Sequence, residues 1–73
     1  MENDPKYERL LRRISNNIKA LREKRGLTQE DMTGHGFNYR HYQKLESGSY
    51  SFSLHTLYRV SEVLKVDLKE LLK

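Results

Sequence analysis

Cysteine is absent from this 73-residue chain. Disulfide bonds and thiolate metal sites are therefore excluded, and nothing indicates an oxidising compartment. Long hydrophobic runs are also missing, because no apolar stretch exceeds three residues, far short of a membrane span. Residues 1–6 are polar and acidic, unlike the start of a secretory signal peptide. These absences predict a cytoplasmic protein of one small domain, without a membrane segment.

Basic residues are concentrated near the start of the chain. The formal net charge is +4 and the pI is about 9.5. Eight of the fourteen Lys and Arg residues lie in residues 6–25, against four acidic residues in residues 1–25. Such a segment suits an anionic partner such as nucleic acid, and it is also typical of a well-solvated helix face.

The first third of the chain predicts one long amphipathic helix. In YERLLRRISNNIKALREKRG, apolar residues recur at spacings of three and four, the period of a helix with one buried face. Lys24 and Arg25 suit the negative end of the helix dipole, and Gly26 is a natural C-terminal stop. The apolar residues of this helix are Tyr7, Leu10, Leu11, Ile14, Ile18 and Leu21.

Capping residues predict four shorter helices. Thr28 precedes a second helix, which Gly34 and Gly36 limit to a few residues. Asn38 precedes a third helix over about residues 39–46, which ends near a glycine. No segment alternates as a β-strand does. The remaining patterns are Ser53 before a fourth helix ending at Leu64, and Asp67 with Glu70 as a capping box over a fifth helix containing Leu68, Leu71 and Leu72.

The third helix has two chemically different faces. Leu45 and Tyr42, one turn apart, are expected to point inward together with Phe37. Arginine and lysine donate to guanine O6 and N7, and glutamine bonds both edge groups of adenine, so the outward face is suited to contacting bases. An ordinary solvated face is the plainer interpretation. The outward face, here called the polar row, consists of Tyr39, Arg40, Gln43 and Lys44.

The order of these segments resembles the Cro/CI-type helix-turn-helix family, also called XRE-like. The segments are LTQEDM before a glycine turn, then NYRHYQKLESG and SLHTLYRVSEVLKVDLKELL. The resemblance covers residues 14–73, preceded by residues 1–13 as an N-terminal extension of helix one. It implies an all-α, compact five-helix bundle of the lambda-repressor-like type, whose third helix lies in the DNA major groove.

The resemblance also implies which residues meet DNA. Phosphate contacts fix register, and base contacts specify sequence. Base contacts are expected from the polar row, namely Tyr39, Arg40, Gln43 and Lys44. Backbone contacts are expected from Gln29, which also braces helix three, and from Asn38, Ser49, Tyr50 and Ser51.

A structural ion pair is predicted between Arg22 and Glu46. Arg22 lies one turn after Ile18, beside the apolar stripe of helix one, and Glu46 borders the inward stripe of helix three. Each charge would be costly if it were buried alone, so pairing is the natural solution. Members of the family often have an Arg–Glu bridge at the matching positions.

The segment TGHGF departs from the family pattern. It is one residue shorter than expected, and Thr33 stands where alanine is usual. The angle between helices two and three is therefore not fixed by the resemblance, and Phe37 is expected to fill the vacated core space. Phe52 stands where proline is common.

Tyr7, Leu10 and Leu11 continue helix one beyond the part that resembles the family. An exposed apolar stripe needs cover. Packing on the C-terminal helix of the same chain is the favoured interpretation. A dimer contact is the alternative, using Leu10, Leu11, Leu68, Leu71 or Leu72.

An enzyme is the weakest candidate function. The three histidines have no carboxylates or cysteines at metal-ligand spacing, and the serines lie in loops and caps without an oriented base. The glycines are typical of helix ends and not of a phosphate-binding loop. No catalytic residue, metal or cofactor is expected.

The sequence favours a sequence-specific regulator of transcription that binds double-stranded DNA, a repressor acting as a homodimer. The alternative is an antitoxin or adaptor, a protein-interaction module of the same fold. Apolar or acidic residues would then be expected in the polar row, which is instead basic and amide-bearing. Single-stranded RNA ranks lower, because the sheet that usually presents stacking aromatics is missing. No small-molecule ligand is expected.

Overall fold

A computed structural model describes residues 4–73, and within that range the chain forms five helices and no β-strand. The expected all-α, five-helix fold is therefore confirmed. No helix in the described range is both long and apolar enough to cross a membrane. The helices are α1 (Pro5–Lys24), α2 (Gln29–Thr33), α3 (Tyr39–Ser47), α4 (Leu54–Leu64) and α5 (Leu68–Leu71).

Side-chain caps define where most helices begin. Asp4 caps α1 by accepting hydrogen bonds from the backbone amides of Lys6 and Tyr7, at 3.0 and 3.3 Å. Proline at the first helical position adds a preset φ at no loss of a needed donor. Residues 1–3 of the predicted extension lie outside the described residues. Helix α1 therefore begins at Pro5, two residues before Tyr7, the first residue of its apolar pattern.

The start of α2 carries a complete capping box. The Thr28 hydroxyl accepts from the Asp31 amide at 3.0 Å, and the Asp31 carboxylate accepts from the Thr28 amide at 2.7 Å. Hydrogen bonds from the Thr28 backbone and side chain hold the pKa of Asp31 below its ordinary value. Two orphan amides at the helix start are thereby satisfied.

The capping box predicted from Asp67 and Glu70 is wrong. Asp67 precedes α5, but its side chain makes no capping hydrogen bond. The carboxylate of Glu70 instead lies 3.1 Å from the ammonium of Lys73, one turn further on. The other predicted caps are present, since Asn38 accepts from the His41 amide and Ser53 from the Thr56 amide, each at 3.0 Å.

The hydrophobic core lies where α1 packs against α3, α4 and α5, with α2 packed on α3. Phe37 is buried in it and meets the ring of Tyr42 edge-on, with centroids 5.6 Å apart. Phe37 thus occupies core space at the shortened turn before α3. The core residues are Ile14, Ile18, Met32, Phe37, Tyr42, Leu45, Leu57, Val60, Leu64 and Leu71.

The extension of α1 is covered within the same chain. Leu11 is buried, while Leu10 and Leu68 pack against the core from its edge. The side chain of Asn17 donates to the carbonyls of Leu71 and Lys73, both at 3.0 Å, which ties the end of the chain to α1. Leu11 and Leu71 are therefore buried within the chain, and of the five leucines considered for a dimer contact only Leu72 is substantially exposed.

Gly48 lets α3 end directly against α1. It adopts a left-handed conformation, with φ at +77°, which side chains disfavour. A β-carbon at this position would lie 3.3 Å from the Cα atom of Arg12. The close approach of the two helices therefore depends on the missing side chain as well as on the turn.

Gly48→Ala is expected to destabilise the fold more than Gly26→Ala. Both glycines have positive φ, so each substitution introduces roughly 1–2 kcal/mol of backbone strain. Only at Gly48 does the new β-carbon also meet backbone, whereas at Gly26 nothing lies within 4 Å. Urea denaturation of the two variants measures the difference. Equal losses would show that α1 moves away from the end of α3 without penalty.

Candidate nucleic-acid interface

The polar row of α3 faces away from the core. Tyr42 and Leu45 are 1% and 4% exposed and point inward, as the helical spacing predicts. On the opposite side Tyr39, Arg40, Gln43 and Lys44 are all exposed, and none of the four forms an ion pair among residues 4–73. The nine-residue helix therefore presents two cations, an amide and a phenol to solvent on one side.

Arg22 and Glu46 meet in a bidentate pair beneath this helix. The Arg22 Nε atom lies 2.6 Å from one carboxylate oxygen, and its Nη2 atom lies 3.1 Å from the other. The side chains are only 8% and 2% exposed. Arg22 also donates to the carbonyl of Leu27 at 2.6 Å, and Gln29 donates to Glu46 at 3.1 Å. One carboxylate thus connects α1, α2 and α3.

The electrostatics of this cluster favour the charged pair. Burial disfavours the ionised form of Glu46, but hydrogen bonds from Arg22 and Gln29 outweigh it, so the pKa of Glu46 lies below its ordinary value. The hydrogen bond to Glu46 raises the pKa of Arg22. Burial, ahead of the neighbouring carboxylate, raises the pKa of the Tyr42 hydroxyl. That hydroxyl is buried and has no hydrogen-bond partner within the described chain.

The candidate backbone-contact residues lie around the polar row. The Gln29 amide is engaged with Glu46, and the Asn38 side-chain oxygen caps α3, which leaves the Asn38 amide nitrogen free to donate outward. Tyr50 lies across the helix end, with the Lys44 ammonium 5.2 Å from its ring centroid, within cation–π range. The structure thus brings the end of the polar row onto the loop at residues 49–51.

A hollow of about 230 Å³ separates the end of α3 from this loop. The residues that line it include a lysine, a histidine, two residues with hydroxyl groups and two apolar residues. His41 was not among the predicted contacts, although it is exposed and lies one turn before Lys44. That spacing alone was enough to place it beside the polar row. The lining residues are His41, Lys44, Leu45, Tyr50, Ser51 and Phe52.

Arg59 holds the shortened turn between α2 and α3. Its guanidinium lies 4.4 Å from the centroid of the Phe37 ring, and its Nη2 atom donates to the Gly36 carbonyl at 3.1 Å. The turn that departs from the family pattern is therefore fastened to α4. Nothing in the local sequence around Arg59 indicates this contact, because the two partners are 23 residues apart.

The residues that the structure describes contain no cluster of three or more His, Asp or Glu side chains placed to hold a metal ion. The described side chains of this surface offer hydrogen-bond donors, cations and aromatic rings. Such groups bind phosphates and base edges.

Arg22→Ala is expected to destabilise the protein by about 3–5 kcal/mol, because it leaves the Glu46 carboxylate buried without its charged partner. A thermal or urea melt measures the loss. Lys19→Ala, on an exposed side of the same helix, is the control and should change stability little. A loss near zero at Arg22 would mean that solvent replaces the arginine.

Stability is expected to fall in acid partly through Glu46. Its folded pKa lies below the ordinary value of 4.5, so the pair contributes fully above that pH and the contribution is lost as pH falls through the folded pKa. Urea titrations at about pH 7 and pH 3 test this. Glu46→Gln should be less stable at pH 7 and should lose less on acidification. The same acid loss in wild type and variant would contradict the assignment.

A family model described as helix-turn-helix matches residues 18–71. The match runs from the middle of α1 to the end of α5, most of the chain. Comparison with curated proteins and with solved structures gave no significant match. The matched segment contains the short α2, the turn and the exposed α3 described above. The chain therefore belongs to the Cro/CI-type, or XRE-like, helix-turn-helix family of DNA-binding regulators.

Proposed function

We propose that this chain is a sequence-specific regulator that binds double-stranded DNA with α3 in the major groove. The observation that carries the proposal is the polar row, four exposed side chains on one side of a capped helix. Arg40 supplies a planar donor pair that matches guanine O6 and N7, and Gln43 supplies the donor and acceptor that match adenine. Tyr39 and Lys44 complete the base contacts.

The rigid mounting of α3 supports this role. Discrimination between bases requires donors held in place before binding, because ordering them on the DNA would reduce affinity. The Arg22–Glu46 pair fixes the C-terminal end of α3, and Arg59 fixes the turn before its N-terminal end. Side chains on such a helix have few ways to adjust to a wrong base.

Backbone contacts in the proposal come from residues near both ends of α3. Asn38 caps the N-terminal end of α3, the Gln29 amide is bonded to Glu46 in its last turn, and Ser49, Tyr50 and Ser51 follow its C-terminal end. Ser49, Tyr50 and Ser51 are exposed and carry hydroxyl donors suited to phosphate oxygens. Affinity is then expected to fall as salt concentration rises, since bound cations displace counterions from DNA.

Two copies on a two-fold operator complete the proposal. One nine-residue helix in one groove buries little surface, whereas specific protein–DNA interfaces typically bury roughly 1,000–2,500 Å² of protein. Binding by a homodimer in the cytoplasm, with repression by occlusion of a promoter, is the simplest regulatory outcome. The proposed function includes no enzymatic step, cofactor or small-molecule effector.

An antitoxin or adaptor role is the second candidate, and one surface favours it. Leu54 and Tyr58 lie one turn apart on α4 and are 68% and 51% exposed. Apolar side chains exposed in this way are suited to contact with a protein. This surface is on a different helix from the polar row, so a protein contact there is compatible with DNA binding by α3.

Selection of duplexes from a random-sequence DNA pool at near-physiological salt tests the proposal. An enriched inverted repeat is expected, and its centre-to-centre spacing gives the geometry of the dimer. Enrichment of a single half-site would support DNA recognition and contradict binding as a dimer. No enrichment, with the helical circular dichroism spectrum intact, would contradict DNA recognition and favour the protein-interaction role.

Arg40→Ala is expected to weaken binding to the selected duplex by about 1–3 kcal/mol and to relax preference at one base pair. Repeating the selection with the variant measures both effects. Arg13→Ala, which removes an exposed arginine from α1, is the control and should leave the preferred sequence unchanged. An equal loss on all sequences would make Arg40 a phosphate contact.

A further inference from the structure

We propose that the N-terminal part of α1, residues 5–12, forms a second part of the DNA-binding surface, with Arg12 bound to the phosphate backbone and Tyr7 positioning the neighbouring loop. This inference rests on the proposed function, which it extends beyond the matched residues 18–71. It gives the extension a role in DNA binding, in addition to its packing within the chain.

Arg12 lies at the point where α3 ends and the loop begins. A β-carbon built on Gly48 would be 3.3 Å from the Cα atom of Arg12 and 3.5 Å from its Cγ atom. The base of the Arg12 side chain therefore lies beside the first residue of the turn that leads to Ser49. An arginine at this place extends the row of backbone donors at residues 49–51.

Tyr7 fixes the far end of the same loop. Its hydroxyl is hydrogen-bonded to the Ser51 hydroxyl at 2.9 Å, across 44 residues of sequence. Leu11, one turn after Tyr7, is buried, so this side of the extension is held against the protein. A hydroxyl shared in this way orients Ser51, which is one of the proposed phosphate donors.

The charge of the extension suits a phosphate backbone. Lys6, Arg9 and Arg12 lie in residues 5–12 against the single acidic residue Glu8. Arg12 is exposed, and no carboxylate within residues 4–73 lies within ion-pair distance of it. Within the part of the chain that the structure describes, no carboxylate neutralises Arg12, so its charge is available to a phosphate.

Arg13 offers a matched control. It is the same residue type on the same helix, and it is also exposed. Successive residues of an α-helix are rotated by about 100°, so Arg13 points away from the side on which Arg12 meets Gly48. A general effect of positive charge is shared by both arginines, and a phosphate contact belongs to Arg12 alone.

The first experiment measures binding of the full chain to its selected duplex between about 50 and 200 mM salt. Arg12→Gln is expected to weaken binding several-fold at low salt and to lower the salt slope by about one, as for one lost phosphate contact. Arg13→Gln is expected to keep the wild-type slope. An unchanged slope in Arg12→Gln, or equal changes in both variants, would overturn the inference. Failure of the wild type to bind any duplex would overturn the proposed function as well, which distinguishes the two failures.

A double-mutant cycle tests the positioning role of Tyr7. Tyr7→Phe and Ser51→Ala are each expected to weaken DNA binding about three- to tenfold, and the double variant should bind no more weakly than Ser51→Ala alone. Tyr58→Phe removes a hydroxyl from a similarly exposed tyrosine on α4 and should have no effect. Thermal melts of all variants show whether stability is unchanged. Additive losses, or loss of stability without loss of DNA affinity, would contradict positioning through Ser51.

Discussion

The buried pair between Arg22 and Glu46 is the interaction on which the arrangement of α3 depends. An unpaired charge in this position would carry a desolvation penalty of several kcal/mol, so neither side chain can leave the other at low cost. The pair also has strict geometry, because both oxygens of the carboxylate accept from one planar guanidinium. Leu27 and Gln29 add hydrogen bonds from the next segment of the chain. The result is less a large net stabilisation than a restriction on how α3 can tilt against α1 and α2.

The opposite end of α3 is held by different chemistry, which compensates for the short turn before it. Phe37 is buried beside Tyr42, and it brings an aromatic face to the edge of the core. The Arg59 guanidinium covers that ring face and also donates a hydrogen bond to the Gly36 carbonyl. One side chain therefore shields the aromatic ring and satisfies a backbone acceptor. Gly36 has a positive φ of +94°, which side chains disfavour. It also leaves room for the arginine, since a β-carbon there would lie 3.2 Å from the Nη2 atom of Arg59. The contacts of Arg59 with Phe37 and Gly36 therefore hold the N-terminal end of α3.

Local patterns in the sequence were enough to predict the helices and the inward face of α3. Caps such as Asn38 and the spacing of Tyr42 and Leu45 act over three or four residues, so they can be recognised before the fold is known. The capping box at Asp67 is absent, because the Glu70 amide donates to the backbone carbonyl of Asp67 at 2.9 Å and the Glu70 carboxylate lies beside Lys73. The contacts of Arg59 and Tyr7 were not predictable in this way. Their partners lie 23 and 44 residues away, and only the packed arrangement of the helices brings them together.

Helix α1 is the common support for the whole candidate interface. Its 20 residues extend about 30 Å, long enough to reach both the end of α3 and the loop beyond it. The contacts along its length are Tyr7 to Ser51, Arg12 to Gly48, Ser15 to the Leu45 carbonyl at 2.7 Å, and Arg22 to Glu46. A single helix therefore fixes α3, which is proposed to contact bases, and the loop proposed to contact phosphates in one relative position. The first three of these contacts involve residues of α1 that precede residue 18, where the family match begins. Because phosphate contacts set the register in which bases are contacted, the proposed contacts of the extension would affect base recognition without touching a base.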